Sequence, residues 1–189
     1  MIYRNHLKRL VDVLVSIISM FSFLPIMLIT ALAVRLEDAG PALFRQRRIG
    51  RFGEGFGILK FRSMALDVGD LPSASASNLM ITHVGRFIRR TNLDELPQLL
   101  NILKGDMSLV GPRPALPTQF ALTNIRQGNG ALECRPGLTG LAQVSAYDGM
   151  PDEEKARWDG EYASNITFIG DLKIILRTFT YLARRPPTY

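Results

Sequence analysis

From Val13 to Val34 the chain runs for 22 residues without a charged side chain. At about 1.5 Å of rise per residue, a helix of that length matches the roughly 30 Å hydrocarbon core of a bilayer. A soluble core helix is rarely apolar on every side for so long. The apolar core of a signal peptide is shorter, roughly 7–15 residues, although Ala31-Leu32-Ala33 has the small-residue character of a cleavage site. The segment is therefore expected to reside in a membrane. Pro25 falls in its middle, where it deprives the Phe21 carbonyl of its helical partner; Ser19 and Ser22 are placed to relieve such a break. Arg4, Lys8 and Arg9 precede the segment, while Arg35, Arg45, Arg47 and Arg48 follow it. The positive-inside rule therefore draws both ends to the cytoplasm. A re-entrant helix hairpin over residues 1–35, broken at Ser22 and Pro25, meets that demand better than a plain spanning helix, and leaves residues 36–189 as one cytoplasmic domain. Asp12 is expected to pair with Lys8 or Arg9 at headgroup level.

The remaining composition bounds the chemistry. The 189 residues are 47% hydrophobic, enough for a packed core beyond the membrane segment. A net charge of +6 calls for an anionic partner: lipid headgroups, a nucleotide or a nucleic acid. Lone Cys134 excludes an internal disulfide and fits a reducing compartment. With only His6 and His83 beside it, a His/Cys zinc site is not expected, and any metal is oxygen-bound, magnesium first.

Arg89 to Pro114, RRTNLDELPQLLNILKGDMSLVGPRP, carries the densest signal. Leu96, Leu99, Leu100 and Leu103 follow a helical i, i+3, i+4, i+7 spacing, and Pro97 is tolerated only in the first turn. Asp94 and Glu95 then stand at the helix start, where free N–H groups and the dipole keep a carboxylate ionised. Taken alone, Asp94 reads first as an ordinary N-cap. Its company argues for more. Arg86, Arg89 and Arg90 lie upstream, and the prolines of Gly111-Pro112-Arg113-Pro114 stiffen the backbone under Arg113, which suits a guanidinium fork presented to a phosphate.

Ala42 to Ile49 and Phe56 to Met64 read as two strands of a β-hairpin around a glycine-rich turn. Lys60 and Arg62 share a strand face, about 7 Å apart. Their face is either a solvated basic edge or an anion site for phosphate or headgroups. The glycines form no P-loop pattern. Leu66 to Thr82 reads as a mobile loop, and Val84, Phe87 and Ile88 begin a short helix. Cys134-Arg135-Pro136-Gly137 reads as a turn, shaped by Pro and Gly, that has the means to bring Arg135 to a site. Pro151 to Asn165 reads as a charged helix with Trp158 and Tyr162 on one face. A last helix from Asp171 sets Leu172, Ile175, Leu176, Phe179 and Leu182 on one side, for either the membrane interface or the core. The expected class is α+β, mainly helical: a re-entrant membrane helix hairpin, a small β-hairpin and amphipathic interfacial helices.

Five motifs together resemble the bacterial monotopic phosphoglycosyl transferases: KRLVD from Lys8, PALFRQRRIG from Pro41, KFRSM from Lys60, LDELPQLLNILKGDMSLVGPRP from Leu93 and RPGLTGLAQV from Arg135. The resemblance covers nearly the whole chain. It implies transfer of a sugar 1-phosphate from a nucleotide sugar, with uracil as the base, to polyprenyl phosphate, releasing the nucleoside monophosphate and opening surface-glycan assembly at the cytoplasmic face of the bacterial inner membrane. It implies Asp94 as the nucleophile that forms a covalent phosphosugar intermediate, and Asp94 and Glu95 as magnesium ligands. Lys60, Arg62 and Arg113 are implied as phosphate or nucleotide contacts, and Asp171 as a further polar site residue. Three positions depart from the family pattern: Leu24 stands before Pro25 where Ser is common, Leu141 where Trp is usual, and Ser145-Ala146 where Asn-Gly is usual. The extra membrane helices of larger relatives are missing, so a minimal catalytic unit is expected. Oligomeric state and the sugar are unread.

Two other functions fit parts of the sequence. A membrane-docked module that binds an anionic ligand without chemistry suits the charge and the C-terminal helix, but leaves the two acids beside Arg113 without a purpose. Nucleic acid is not expected as its ligand, because the basic hairpin has few aromatics on which bases stack. A glycosyltransferase that breaks the sugar–phosphate bond would release a nucleoside diphosphate instead.

Overall fold

The computed structural model describes residues 3–65, 81–145 and 150–183. The loop expected from Leu66 lies, up to residue 80, outside the described residues, as do Ala146, Arg184 and Arg185.

After a π-helical turn at Tyr3–Leu7, the apolar segment forms one helix, α1, Lys8–Glu37. The expected break at Ser22 and Pro25 is not seen, and no second arm of a hairpin is found among the described residues. Pro25 is carried inside the helix. Neither Ser19 nor Ser22 makes a hydrogen bond among the described residues; the hydroxyl that bonds back along α1 is Thr30, to Ile26 O at 2.7 Å. Only 11% of the most apolar 18-residue window is buried, which sets α1 apart from the core helix of a soluble protein.

α1 packs against the domain on either side of a fully exposed middle stretch. Asp12 and Ser16 are buried near the start, Thr30 and Val34 near the end, and residues 21–26 around Pro25 are all exposed. Met20 packs against a core of Ile58, Leu99, Ile102 and Met107. Met27, Ala31 and Val34 join a second core with Phe61 and Ile88. Asp12 does not pair with Lys8 or Arg9 as expected. Its Oδ1 accepts from Leu109 N at 3.1 Å, so a buried backbone donor is satisfied by α1 itself.

The hairpin forms as read, from β1 (Leu43–Ile49) and antiparallel β2 (Gly55–Phe61), with Phe44 opposite Lys60 and Arg48 opposite Phe56. Next come α2 (His83–Arg90), α3 (Gln98–Lys104) and β3 (Ser108–Val110). After α4 (Phe120–Gly128), β4 (Gly137–Thr139) pairs parallel with β3. Strands of three residues are too short to show an alternation, which is why Gly137 reads as part of a turn in the sequence. α5 (Leu141–Ser145), α6 (Asp152–Ser164) and α7 (Phe168–Ala183) are the last helices among the described residues.

Two helical faces differ from their sequence pattern. On α3 the buried residues are Gln98, Leu99, Asn101 and Ile102, with Leu96, Leu100 and Leu103 only half-buried, because the helix is bonded to β2 through Asn101. On α7 the inward positions are Asp171 and Ile174, while Phe168, Ile169, Leu172, Leu176, Phe179 and Leu182 are exposed. With the exposed apolar side of α1, they leave a large hydrocarbon surface of the kind that marks a membrane or protein contact.

Close backbone approach explains the glycines of two motifs. A Cβ on Gly111 would meet Arg135 O at 2.3 Å, one on Gly137 would meet Gly111 N at 2.1 Å, and one on Gly140 would meet Gly111 O at 2.1 Å. Backbone on both sides cannot yield as a flexible side chain does. Gly137→Ala is expected to cost about 1–3 kcal/mol through forced separation of β3 and β4, measured as a lower thermal midpoint of the purified protein; an unchanged midpoint would rule out this packing.

Candidate active site

Three backbone pieces bring the site together. β2 supplies Lys60, a 3₁₀ turn at Leu93–Glu95 supplies both acids, and the loop after β3 supplies Arg113. Asn92 starts the acidic turn in the left-handed region at φ 55°, which asparagine tolerates better than most residues. Buried Asn101 then locks α3 to the free edge of β2: its Oδ1 accepts from Leu59 N at 2.9 Å and its Nδ2 donates to Gly57 O at 2.8 Å. This ties the acidic turn to the strand that carries Lys60. Sequence periodicity missed Asn101, since a polar residue in an apolar stripe reads as an exposed one.

Asp94 and Glu95 have unequal surroundings. Lys60 Nζ lies 2.6 Å from Glu95 Oε1 and 3.8 Å from Asp94 Oδ2, and Arg113 Nη2 donates to Glu95 Oε1 at 3.1 Å. Asp94 is buried and makes no hydrogen bond among the described residues. Burial pushes its carboxyl up to about 6, against the fields of Lys60, Arg89 and Arg113. Burial opposes ionisation of Glu95 too, but there Lys60 and Arg113 prevail and hold it well below the usual carboxylate range. The N-cap alternative for Asp94 fails: the N-cap of α3 is Pro97, and no side-chain hydrogen bond caps the acidic turn. The expected dipole support at a helix start also falls away, and cations take its place.

Arg89 and Arg48 complete the cationic surround. Arg89 Nε donates to Ser63 Oγ at 2.7 Å, and its charge acts on Asp94. Arg48 is pushed down to about 10 by burial and by the nearby charge of Arg113, against the opposing field of Glu95. Alternation along β1 separates it from exposed Arg45 and Arg47, a distinction that was readable in the sequence only once the hairpin register was known.

Other expected site residues lie apart from the acids. Arg62 is buried, pairs with Asp38 Oδ2 at 3.4 Å and donates to Asp38 O, joining β2 to the end of α1. Asp171 accepts from Tyr3 Oη and from Lys8 Nζ, each at 2.7 Å, and its Oδ1 lies 3.0 Å from Tyr162 Oη. Neither residue makes a hydrogen bond or ion pair with Asp94 or Glu95 among the described residues. Arg135 is likewise directed elsewhere: its Nε donates to Gly105 O at 2.9 Å at the far end of α3. Ser22 and Pro25 stand exposed on α1.

The donor set suits a hard cation. Asp94 and Glu95 offer adjacent carboxylate oxygens, and Asp94 is not held by a hydrogen bond. No group of three or more His, Cys, Asp or Glu side chains that could hold a metal occurs among the described residues. Magnesium is commonly held by one or two carboxylates together with substrate phosphates and water, so the pair fits that ion and not a protein-enclosed one.

Two acids of unlike environment lie among the charges of Lys60, Arg48, Arg89 and Arg113, in a fold that also exposes one long apolar helix. The chain belongs to the bacterial sugar transferases, whose family model matches residues 3–185, and it is a sugar-phosphate transferase as the resemblance implied. It is 41% identical over 191 residues to a UDP-glucose:undecaprenyl-phosphate glucose-1-phosphate transferase of Caulobacter vibrioides, covering 96% of this chain and 72% of the relative. An uncharacterized sugar transferase of Bacillus subtilis is 40% identical over 172 residues, 91% of this chain and 85% of the relative. The undecaprenyl-phosphate galactose phosphotransferase of Salmonella typhimurium is 37% identical over an alignment of 200 residues that covers 97% of this chain and 42% of that longer protein.

Proposed function

We propose that this chain transfers a sugar 1-phosphate from a UDP-sugar to polyprenyl phosphate through a covalent intermediate on Asp94, and so initiates surface-glycan assembly. The observation that carries this reading is the division of roles between the acids: Glu95 holds Lys60 and Arg113, while Asp94 stays within 3.8 Å of Lys60 and accepts no hydrogen bond among the described residues. An Asp94 oxygen attacks the phosphorus that bears the sugar. The bond from that phosphorus to the bridging oxygen breaks, and UMP leaves with the electron pair. An oxygen of polyprenyl phosphate then attacks the same phosphorus, forming the sugar-linked diphosphate lipid and returning Asp94 to its carboxylate. Lys60 and Arg113 offset the charge that builds on the diphosphate. Magnesium, held by Asp94 and Glu95, would supply further charge neutralisation at the phosphates.

The names of the two relatives of stated substrate differ in sugar, glucose for the Caulobacter protein and galactose for the Salmonella one. The test is therefore a panel of UDP-sugars with polyprenyl phosphate and Mg²⁺, read by the nucleotide released. UMP is expected from one donor class. Release of UDP would mean cleavage of the sugar–phosphate bond, and no release from any donor would return the chain to an anionic-ligand binding module.

The same reading places residues 1–35 in the inner membrane as a re-entrant element, with residues 36–189 as the catalytic domain on the cytoplasmic face. Its support is the way α1 is held. Arg9, near the start, donates to Leu103 O at 3.0 Å, while Glu37, at the end, accepts from Val84 N at 2.9 Å. Both ends thus attach to one domain, and the exposed stretch of residues 21–26 between them is left to face the lipid. The exposed apolar side of α7 lies along the interface. In a Cys134→Ser background, a cysteine placed near the N-terminus is expected to resist a thiol reagent confined to the periplasmic side. Labelling from that side would establish a spanning helix.

A further inference from the structure

Successive carbonyls around Arg113 are each held by a donor from elsewhere in the fold. Gly137 N donates to Pro112 O and Ile49 N to Ala115 O, both at 2.9 Å. Arg48 Nη1 donates to Pro114 O at 3.3 Å, and Arg126 Nη1 to Arg113 O at 2.9 Å. The prolines on either side of Arg113 have no N–H, so carbonyls are the handles by which this stretch can be fixed.

Arg126 is the donor that grips Arg113 itself, and it is set rigidly. It lies on α4 and is 4% exposed; its Nε and Nη2 donate to Asp159 Oδ2 on α6 at 2.9 and 2.6 Å, and Asp159 is 1% exposed. A buried ion pair adds little to stability that apolar residues of the same volume would not supply. What apolar residues cannot supply is a third N–H aimed at a chosen carbonyl. The guanidinium fork does this because its five N–H groups lie in one plane, so fixing two of them on Asp159 fixes the direction of the next.

We propose that Arg126, anchored by Asp159, is a positioning residue for the transfer reaction: by fixing the Arg113 carbonyl it sets the angle at which the Arg113 side chain leaves the backbone, and hence its contact with Glu95 and with the donor diphosphate. This rests on the reading of Arg113 as a phosphate contact. A lysine at 126 keeps the charge beside Asp159 and loses the fork, so Arg113 is retained but no longer aimed.

The experiment is a double-mutant cycle on the full-length protein in lipid, using the UDP-sugar that supports UMP release. Arg126→Lys is expected to lower kcat/KM by about 10- to 100-fold, mainly through a higher donor KM. In an Arg113→Ala background the same change should matter by less than about twofold, since the side chain being aimed is gone. An equal loss in both backgrounds would make Arg126 a general packing residue and overturn the proposal, as would full activity of Arg126→Lys. Full activity of Arg113→Ala would instead overturn the reading of Arg113, and the proposal with it. If Arg126→Lys does not accumulate, Asp159→Asn, which keeps an acceptor oxygen but removes the anchoring charge, enters the same cycle with the same outcomes.

Discussion

Asp94→Asn is expected to abolish UMP release, by about 10³-fold or more, because a residue that forms the covalent bond has no substitute in the site. An amide has the shape of the carboxylate but is a far poorer nucleophile. The substitution also removes a charge that burial disfavours, so folding should be retained, with a thermal midpoint no lower than that of the wild type. The sharper measurement omits the acceptor. Wild-type protein given donor alone should release a burst approaching one UMP per chain and then stop, with the phosphosugar retained on the protein. Asp94→Asn should show no burst. Glu95→Gln should show a slower one, because Glu95 acts by organising Lys60 and Arg113, 2.6 and 3.1 Å away, and not by bonding to phosphorus. A burst of normal size from Asp94→Asn would remove the aspartate from the chemistry and leave a direct transfer between bound donor and acceptor.

Asp171→Ala is expected to have the largest effect on stability. Asp171 and Lys8 form an ion pair at 2.7 Å with side chains 5% and 13% exposed, and Tyr3 and Tyr162 bring hydroxyls to the same carboxylate. Removing the acid leaves a lysine ammonium with little water and no counter-charge, at a cost of about 3–5 kcal/mol. For a chain of this size that is roughly 6–20 °C in Tm. The clasp joins the start of α1 to α6 and α7, so its loss should also expose residues 3–12 to proteolysis. The resemblance implies a different role, in which Asp171 serves the bound substrate. On that account the variant would keep its Tm and show a higher donor KM, and the two measurements on one variant separate the roles.

Much of the fold was legible because the signals are local. The 22-residue uncharged run and the two strands of the hairpin each depend on neighbours within a few residues and form where they were read, whereas the acid pair before Pro97 stands in a 3₁₀ turn and not at the start of the helix. The failures are of two physical kinds. Strands of three residues and a buried Asn101 carry no periodic signal. The continuity of α1 through Pro25 depends on what holds its ends, since attachment of both termini to the domain is a long-range condition that no local proline rule contains.

By itself the sequence determined the kind of chemistry and where along the chain it sits: a membrane segment, two adjacent acids and a proline-braced arginine in a chain of net charge +6. Only the tertiary structure decided which cation serves which partner. Lys60 and Arg113 meet at Glu95, whereas Arg62 goes to Asp38, Arg135 to the end of α3 and Arg126 to Asp159. The physical reason is that charge and hydrogen-bonding capacity belong to a residue and can be read from its name, while a contact depends on distance, which the packing of remote elements sets.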